Sequence, residues 1–168
     1  IGTSTRGGAF TRETVEEMAS YCARPIIFPL SNPTSRAEAT PADLIEWTDG
    51  KALVATGSPF APVDHEGVRH QIAQSNNALI FPGLGLGVAA CGARRISEGM
   101  IAAASEALAG MVNAWRPGAP LLPGVGDLRL VSATVAIAVA EQAMREGLAD
   151  QSLPNPIQQV YERMWQPR

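Results

Sequence analysis

The sequence predicts an α/β fold: a β-α-β-α-β half of a doubly wound sheet, followed by a helical C-terminal region. Three observations point there. Two apolar runs, Ile26–Leu30 and Ala52–Thr56, each end at a polar turn carrying a proline, Ser31-Asn32-Pro33-Thr34 and Gly57-Ser58-Pro59. Stretches with helical spacing precede each run, which is the alternation expected of parallel strands joined by right-handed crossovers. From about residue 76 the pattern turns helical throughout.

Taken in order, Ile1–Ser4 reads as the end of a strand and Thr5–Phe10 as a glycine-rich turn. Thr11 can cap the helix that follows, with Glu13, Glu16 and Glu17 near its positive end. Val15, Met18, Ala19 and Cys22 fall at helical spacing and are expected to face the sheet. Arg24-Pro25 stops that helix. Ile26–Leu30 is apolar on every residue, as in a strand covered on both faces. Pro29 donates no ladder hydrogen bond, which places it at an edge or at the strand's end. Ser35–Ala39 reads as a loop. Thr40-Pro41-Ala42-Asp43 has the cap, first-turn proline and carboxylate of a helix start, and Leu53–Thr56 is the third strand. A small hairpin is expected about Glu66-Gly67. Helices are then predicted over 88–93, 97–114, 130–146 and 156–165, with a Pro/Gly-rich linker at Pro117–Gly126. The expected division is residues 1–75, the half-sheet, and 76–168, a helical region.

The 168 residues suffice for a core, and 46% hydrophobic content with a mean hydropathy of +0.03 suits a water-soluble protein. A net charge of −3 and a pI near 5.4 give no electrostatic reason to expect nucleic acid. The apolar stretch Leu79–Ala93 is broken by proline and glycine and too short to span a bilayer, so no membrane partner is expected. Cys22 and Cys91 lack metal or redox spacing and read as buried thiols, which makes a reducing, cytoplasmic setting the default. Ile1-Gly2-Thr3-Ser4 lacks the basic start of a signal peptide. The absence of an initiator Met and a strand already under way suggest a piece of a longer protein.

In an open α/β sheet, ligands bind beyond the carboxyl ends of the strands. Asn32 and Ser58 are therefore read as groups on one rim. The Asn32 carboxamide can donate to a carboxylate or carbonyl, or it can close a local Asx-turn. Asn76-Asn77 precede an apolar run; one of the two can cap the next turn, leaving its neighbour for a ligand. The turn Gly2-Thr3-Ser4-Thr5-Arg6-Gly7-Gly8 matches neither GxGxxG nor the P-loop. Close helix packing explains Gly83-x-Gly85-x-Gly87. His65 and His70 read as surface residues. No HExxH, GxSxG or CxxC appears, so the chain has no self-contained set of acid, base and metal ligands.

Gly2-x-Ser4-x-x-Gly7-Gly8-Ala9-Phe10-Thr11, Arg24–Thr34, Ala55–Phe60 and Asn76–Gly83 together resemble the malic enzyme family, in its order and spacing. The resemblance implies a Rossmann-like half-sheet and the C-terminal portion of a bacterial-type enzyme. The activity it implies is oxidative decarboxylation of L-malate to pyruvate and CO2 with NAD or NADP and Mg2+ or Mn2+. It places Asn32, Asn76 and Asn77 at malate. It places Thr3, Ser4, Leu30, Asn32 and Asn77 along the nicotinamide dinucleotide. The family's catalytic tyrosine and lysine, its acidic metal ligands and its glycine fingerprint have no counterpart here, so no catalytic residue or metal ligand is assigned and the piece alone is expected to be inactive. A homo-oligomer is expected, since a half-sheet leaves an edge to pair. A non-catalytic nucleotide-binding or assembly module, or a malolactic enzyme of the same fold, are the alternatives.

Overall fold

The computed structural model describes residues 1–165. The chain divides into two compact units: residues 1–75 with 112–122, and residues 76–111 with the segment from Pro123 onward.

The first unit is built on parallel pairing. Helix α1 (Arg12–Tyr21) leads to β1 (Ile26–Ile27), and α2 (Pro41–Trp47) leads to β2 (Leu53–Thr56). β1 pairs in parallel with β2, Ile26 opposite Leu53 and Ile27 opposite Val54. Gly2 forms a parallel bridge to Pro29 on the other side. The predicted β-α-β-α-β order is therefore present. Pro29 marks the strand's end and not an edge: its carbonyl accepts from Gly57 N–H at 3.2 Å, while Gly2 N–H donates to Phe28 O at 2.8 Å and Leu30 N–H to Gly2 O at 2.9 Å. The hairpin expected about Glu66-Gly67 forms from β3 (Val63–His65) and β4 (Val68–His70), with Glu66 and Gly67 both at positive φ in its turn. A further parallel strand, β5 (Ala73–Gln74), extends the sheet beyond β2. Two residues are too few for a period-two signal, so it was illegible in the sequence.

Both helix starts are capped as their sequences predict. Thr11 accepts from Thr14 N–H, and Thr40 accepts from Asp43 N–H with Pro41 opening α2. Val15, Ile27, Leu44, Ile45 and Val54 bury together as the core of this unit. Met18 and Cys22, expected to face the sheet, are exposed. The reason for Cys22 is that α1 ends at Tyr21 and Cys22 is already extended, at φ −142° and ψ 121°, which breaks the helical phase.

Residues 112–122, read in the sequence partly as helix and partly as linker, pack on this unit. Arg24 donates to Ala114 O at 2.8 Å and lies 5.5 Å from the Trp115 ring centroid. Gln71 N–H donates to Gly118 O at 2.9 Å. Gly118 takes a left-handed φ of 72°, and a Cβ there would collide with the Arg69 carbonyl, so only glycine lets the loop lie against β4.

The second unit is helical: α3 (Phe81–Cys91), α4 (Glu98–Ala109), α5 (Leu128–Arg145) and α6 (Pro156–Arg163). α3 starts well before the residue 88 that the spacing suggested, because Pro82 stands in its first turn, where proline costs no hydrogen bond. α4 stops at Ala109 and not at 114, where Gly110 ends it. α5 is the centre of this unit and packs on α3, α4 and α6. Gly83 and Gly87 set the α3–α5 approach: a Cβ on Gly83 would sit 2.6 Å from Val135 Cβ, and one on Gly87 2.7 Å from Ala136 O. Cys91 is buried on α3, and burial raises its thiol pKa. Among the described residues, no helix is long and apolar enough to cross a membrane.

Gly83→Ala and Gly87→Ala should each lower stability by about 1–3 kcal/mol through overpacking. Gly85→Ala, where a Cβ meets nothing within 4 Å, should be neutral or stabilise by about 0.5–1 kcal/mol. Urea unfolding midpoints of the three variants check this; equal losses at all three would refute the packing role of Gly83 and Gly87.

Candidate functional site

The carboxyl ends of the parallel strands in the first unit converge on one buried carboxylate. Glu38 lies in the segment read as a loop, between Ala37 and Ala39, and its side chain is fully buried. Its Oε1 accepts from Ser4 N–H at 2.7 Å, Ser4 Oγ at 2.8 Å and Ser31 Oγ at 2.5 Å. Its Oε2 accepts from Ser31 N–H at 3.3 Å. Burial pushes the acid's pKa up, but the donors from Ser31 and Ser4 outweigh burial and lower it to about 2. The group is ionised at neutral pH. Gly2 is close by necessity, since a Cβ there would lie 2.6 Å from the Glu38 side chain.

This carboxylate ties together the turns that follow the first two strands. Thr5 N–H donates to Ser31 Oγ at 2.8 Å, and Thr5 takes a positive φ of 57°. Arg36 donates to Thr5 O at 3.3 Å. Ser4 thus serves the interior with both its amide and its hydroxyl, while Thr3 is exposed on the same turn. Leu30 is half-buried, its N–H spent on Gly2.

Above this layer, Asn32 is exposed and Ser58 is buried. Ser58 Oγ donates a short hydrogen bond to Asn32 Oδ1. With Oδ1 occupied, the amide's donor end has one internal partner, the Leu30 carbonyl at 3.5 Å from Nδ2, the limit of a hydrogen bond. Asn32 precedes a cis peptide bond to Pro33. Gly57 is needed beneath, because a Cβ there would collide with the Leu30 carbonyl and lie 3.1 Å from Asn32 Nδ2. Thr56 Oγ1 donates to Ser58 O at 2.8 Å, and Gln74 Nε2 to Gly57 O at 3.1 Å. The two rims recognised in the sequence therefore touch, and Thr3, Ser4, Leu30 and Asn32 lie at or just beyond the carboxyl ends of two adjacent parallel segments.

Asn76 and Asn77 belong to the second unit. Asn76 Oδ1 accepts from Ala78 N–H at 2.9 Å and caps the short helical turn Asn77–Leu79, whereas Asn77 is exposed. One of the pair caps and its neighbour is left outward.

Glu38 was missed in the sequence because a single acidic residue in a loop reads as solvated. The available signal was its position between two alanines beside a capped helix start.

The family described as "Malic enzyme, NAD binding domain" matches residues 1–144. "NAD-dependent malic enzyme 3" of Bacillus subtilis is 58% identical over 167 residues, which is 99% of this chain and 30% of that protein. The "NAD-dependent malic enzyme" of Aeromonas hydrophila is 54% identical, over 99% of this chain and 30% of its own length. Among solved structures, the malic enzyme of Entamoeba histolytica aligns with a TM-score of 0.75 at 30% identity, covering 96% of this chain and 30% of that one. The chain thus spans about a third of the length of the proteins it matches.

A pKa near 2 in the folded protein lies below the ordinary 4.5, so Glu38 adds stability at every pH above about 4.5. That contribution, of the order of a few kcal/mol, is lost as pH falls through 4.5 towards 2. Glu38→Gln should lower the urea midpoint at pH 7 and flatten this acid limb of the stability profile. An acid limb of unchanged depth in the variant would show that Glu38 does not carry it.

Proposed function

Because the chain belongs to the malic enzyme family through its NAD-binding domain, we propose that it forms one wall of a malate and nicotinamide site in an enzyme for oxidative decarboxylation of L-malate to pyruvate and CO2. NAD+ is the dinucleotide of this reading, as in the names of both relatives. The observation that carries it is the exposed Asn32 carboxamide at the carboxyl end of a parallel sheet, held by Ser58 through Oδ1 and left with only a 3.5 Å internal contact at Nδ2.

The rim fits a dinucleotide's nicotinamide end. The exposed Thr3 and the loosely held Nδ2–H of Asn32 suit a ribose hydroxyl, a carboxamide oxygen or a carboxylate. A bound dinucleotide would supply a hydride acceptor, and a divalent cation, Mg2+ or Mn2+, would supply polarisation of a carbonyl for loss of CO2. The rim itself does not fit the cation, because the Glu38 carboxylate is buried and spent on Ser4 and Ser31.

The chain's own residues therefore position. Asn32 donates to an acceptor oxygen of substrate or nicotinamide, Ser58 orients the amide by holding its Oδ1, and Glu38 holds the Ser4 and Ser31 turns from below. Asn77, and Asn76 through its amide nitrogen, are read as further contacts to malate.

In the full-length protein, Asn32→Asp replaces a donor by a negative acceptor and should cut kcat/KM for malate by about 10²-fold or more. Ser58→Ala should cost less, about 10-fold, by releasing the amide's orientation. Steady-state NADH formation measures both, and an Asn32→Asp enzyme of unchanged kcat/KM would overturn the assignment. The 168-residue chain by itself is expected to form no NADH from malate; turnover by the purified chain would overturn that expectation.

A further inference from the structure

We propose that Asp49, His65 and Glu66 form a site for a borderline divalent cation such as Zn2+, joining the turn after α2 to the β3–β4 hairpin. The geometry is local to the first unit. One ligand atom from each of the three residues lies within 4.8 Å of the other two. Donor atoms around a cation bound at about 2.0–2.2 Å sit roughly 3–4 Å apart, close to the spacing these side chains already have.

The second observation is His65 itself. Its Nε2 is buried without a hydrogen-bond partner, and no other buried side-chain nitrogen or oxygen among the described residues shares that condition. Asp49 Oδ1 faces this nitrogen at 3.9 Å, too far for a hydrogen bond and suited to a cation between them. The other Asp49 oxygen is held by Lys51 Nζ at 3.1 Å, which leaves Oδ1 for the site.

The backbone presents the ligands as a chelate. Asp49 and Glu66 sit at positive φ, 54° and 47°, each followed by a glycine also at positive φ. Both residues line the cavity of about 410 Å³ that His65 and His70 also line. The ring of His70 stands edge-on to that of His65, with centroids 6.5 Å apart, so His70 walls the site without reaching it. One imidazole and two carboxylates favour Zn2+ or a similar cation over Mg2+, which prefers oxygen alone. Water from the cavity completes the coordination.

Equilibrium dialysis of the full-length protein against micromolar Zn2+ in excess Mg2+, with bound metal counted by mass spectrometry, tests the site. The wild type should retain one more Zn2+ per chain than His65→Gln or Asp49→Asn, and titration should show binding weakened about tenfold or more in both variants. Zn2+ should raise the melting temperature of the wild type and not of His65→Gln, with the two proteins melting alike in chelator. Should His65→Gln fail to fold, Asp49→Asn, whose side chain is 67% exposed, carries the same comparison. Equal Zn2+ retention by wild type and the folded variants overturns the proposal, as does a loss that follows His70→Gln and leaves His65→Gln unaffected.

Discussion

The Glu38 carboxylate is the constraint on which the functional rim depends. A buried acid is costly unless donors surround it, and here two serines supply four, two from backbone and two from hydroxyls. Those serines follow different strands, so the charge that needs them also holds two turns in register. Gly2 is the condition for this arrangement, since any side chain there would occupy the place of the acid. The result is a rim whose shape is set from beneath by a group that never reaches solvent.

What stands on that foundation is a small set of oriented donors. Ser58 holds Asn32 by its oxygen, Thr56 holds the Ser58 carbonyl, and Gln74 holds the Gly57 carbonyl. Each link satisfies one group and thereby orients the next, so the exposed carboxamide is ordered without being buried. Such preorganisation suits a site that must present a hydrogen-bond donor to a ligand before the ligand arrives. The Glu38 carboxylate below is fully engaged, which fits positioning better than proton transfer.

The helical unit follows a different rule. Its order comes from small residues: Gly83 and Gly87 let α3 lie directly on α5, whose facing side carries Ser132, Val135, Ala136 and Val139. Dispersion and close approach replace the hydrogen-bond network of the first unit.

Much of this was legible along the chain. The capping threonines, the parallel strands and the hairpin at Glu66-Gly67 follow from rules that act over a few residues, such as cap chemistry, alternation and left-handed turns, while of the three glycines read as close-packing Gly83 and Gly87 meet α5 and Gly85 meets nothing. The rim was legible as a place because the Asn32 and Ser58 segments share a strand-to-proline pattern. Their contact was not legible, because a hydrogen bond between residues 26 apart has no local signature. Strand β5 and the docking of residues 112–122 depend in the same way on partners far away in the chain. Glu38 is the sharpest instance: its sequence neighbourhood says loop, and only the convergence of Ser4 and Ser31 turns a solvated acid into a buried anion. The sequence by itself determined the fold class and the starts of α1, α2, α4 and α6, since these rest on local backbone energetics. Tertiary structure alone decided that Ser58 holds Asn32 by its oxygen and that His65 Nε2 would be left without a partner, since desolvation and hydrogen-bond pairing are settled only when distant segments meet.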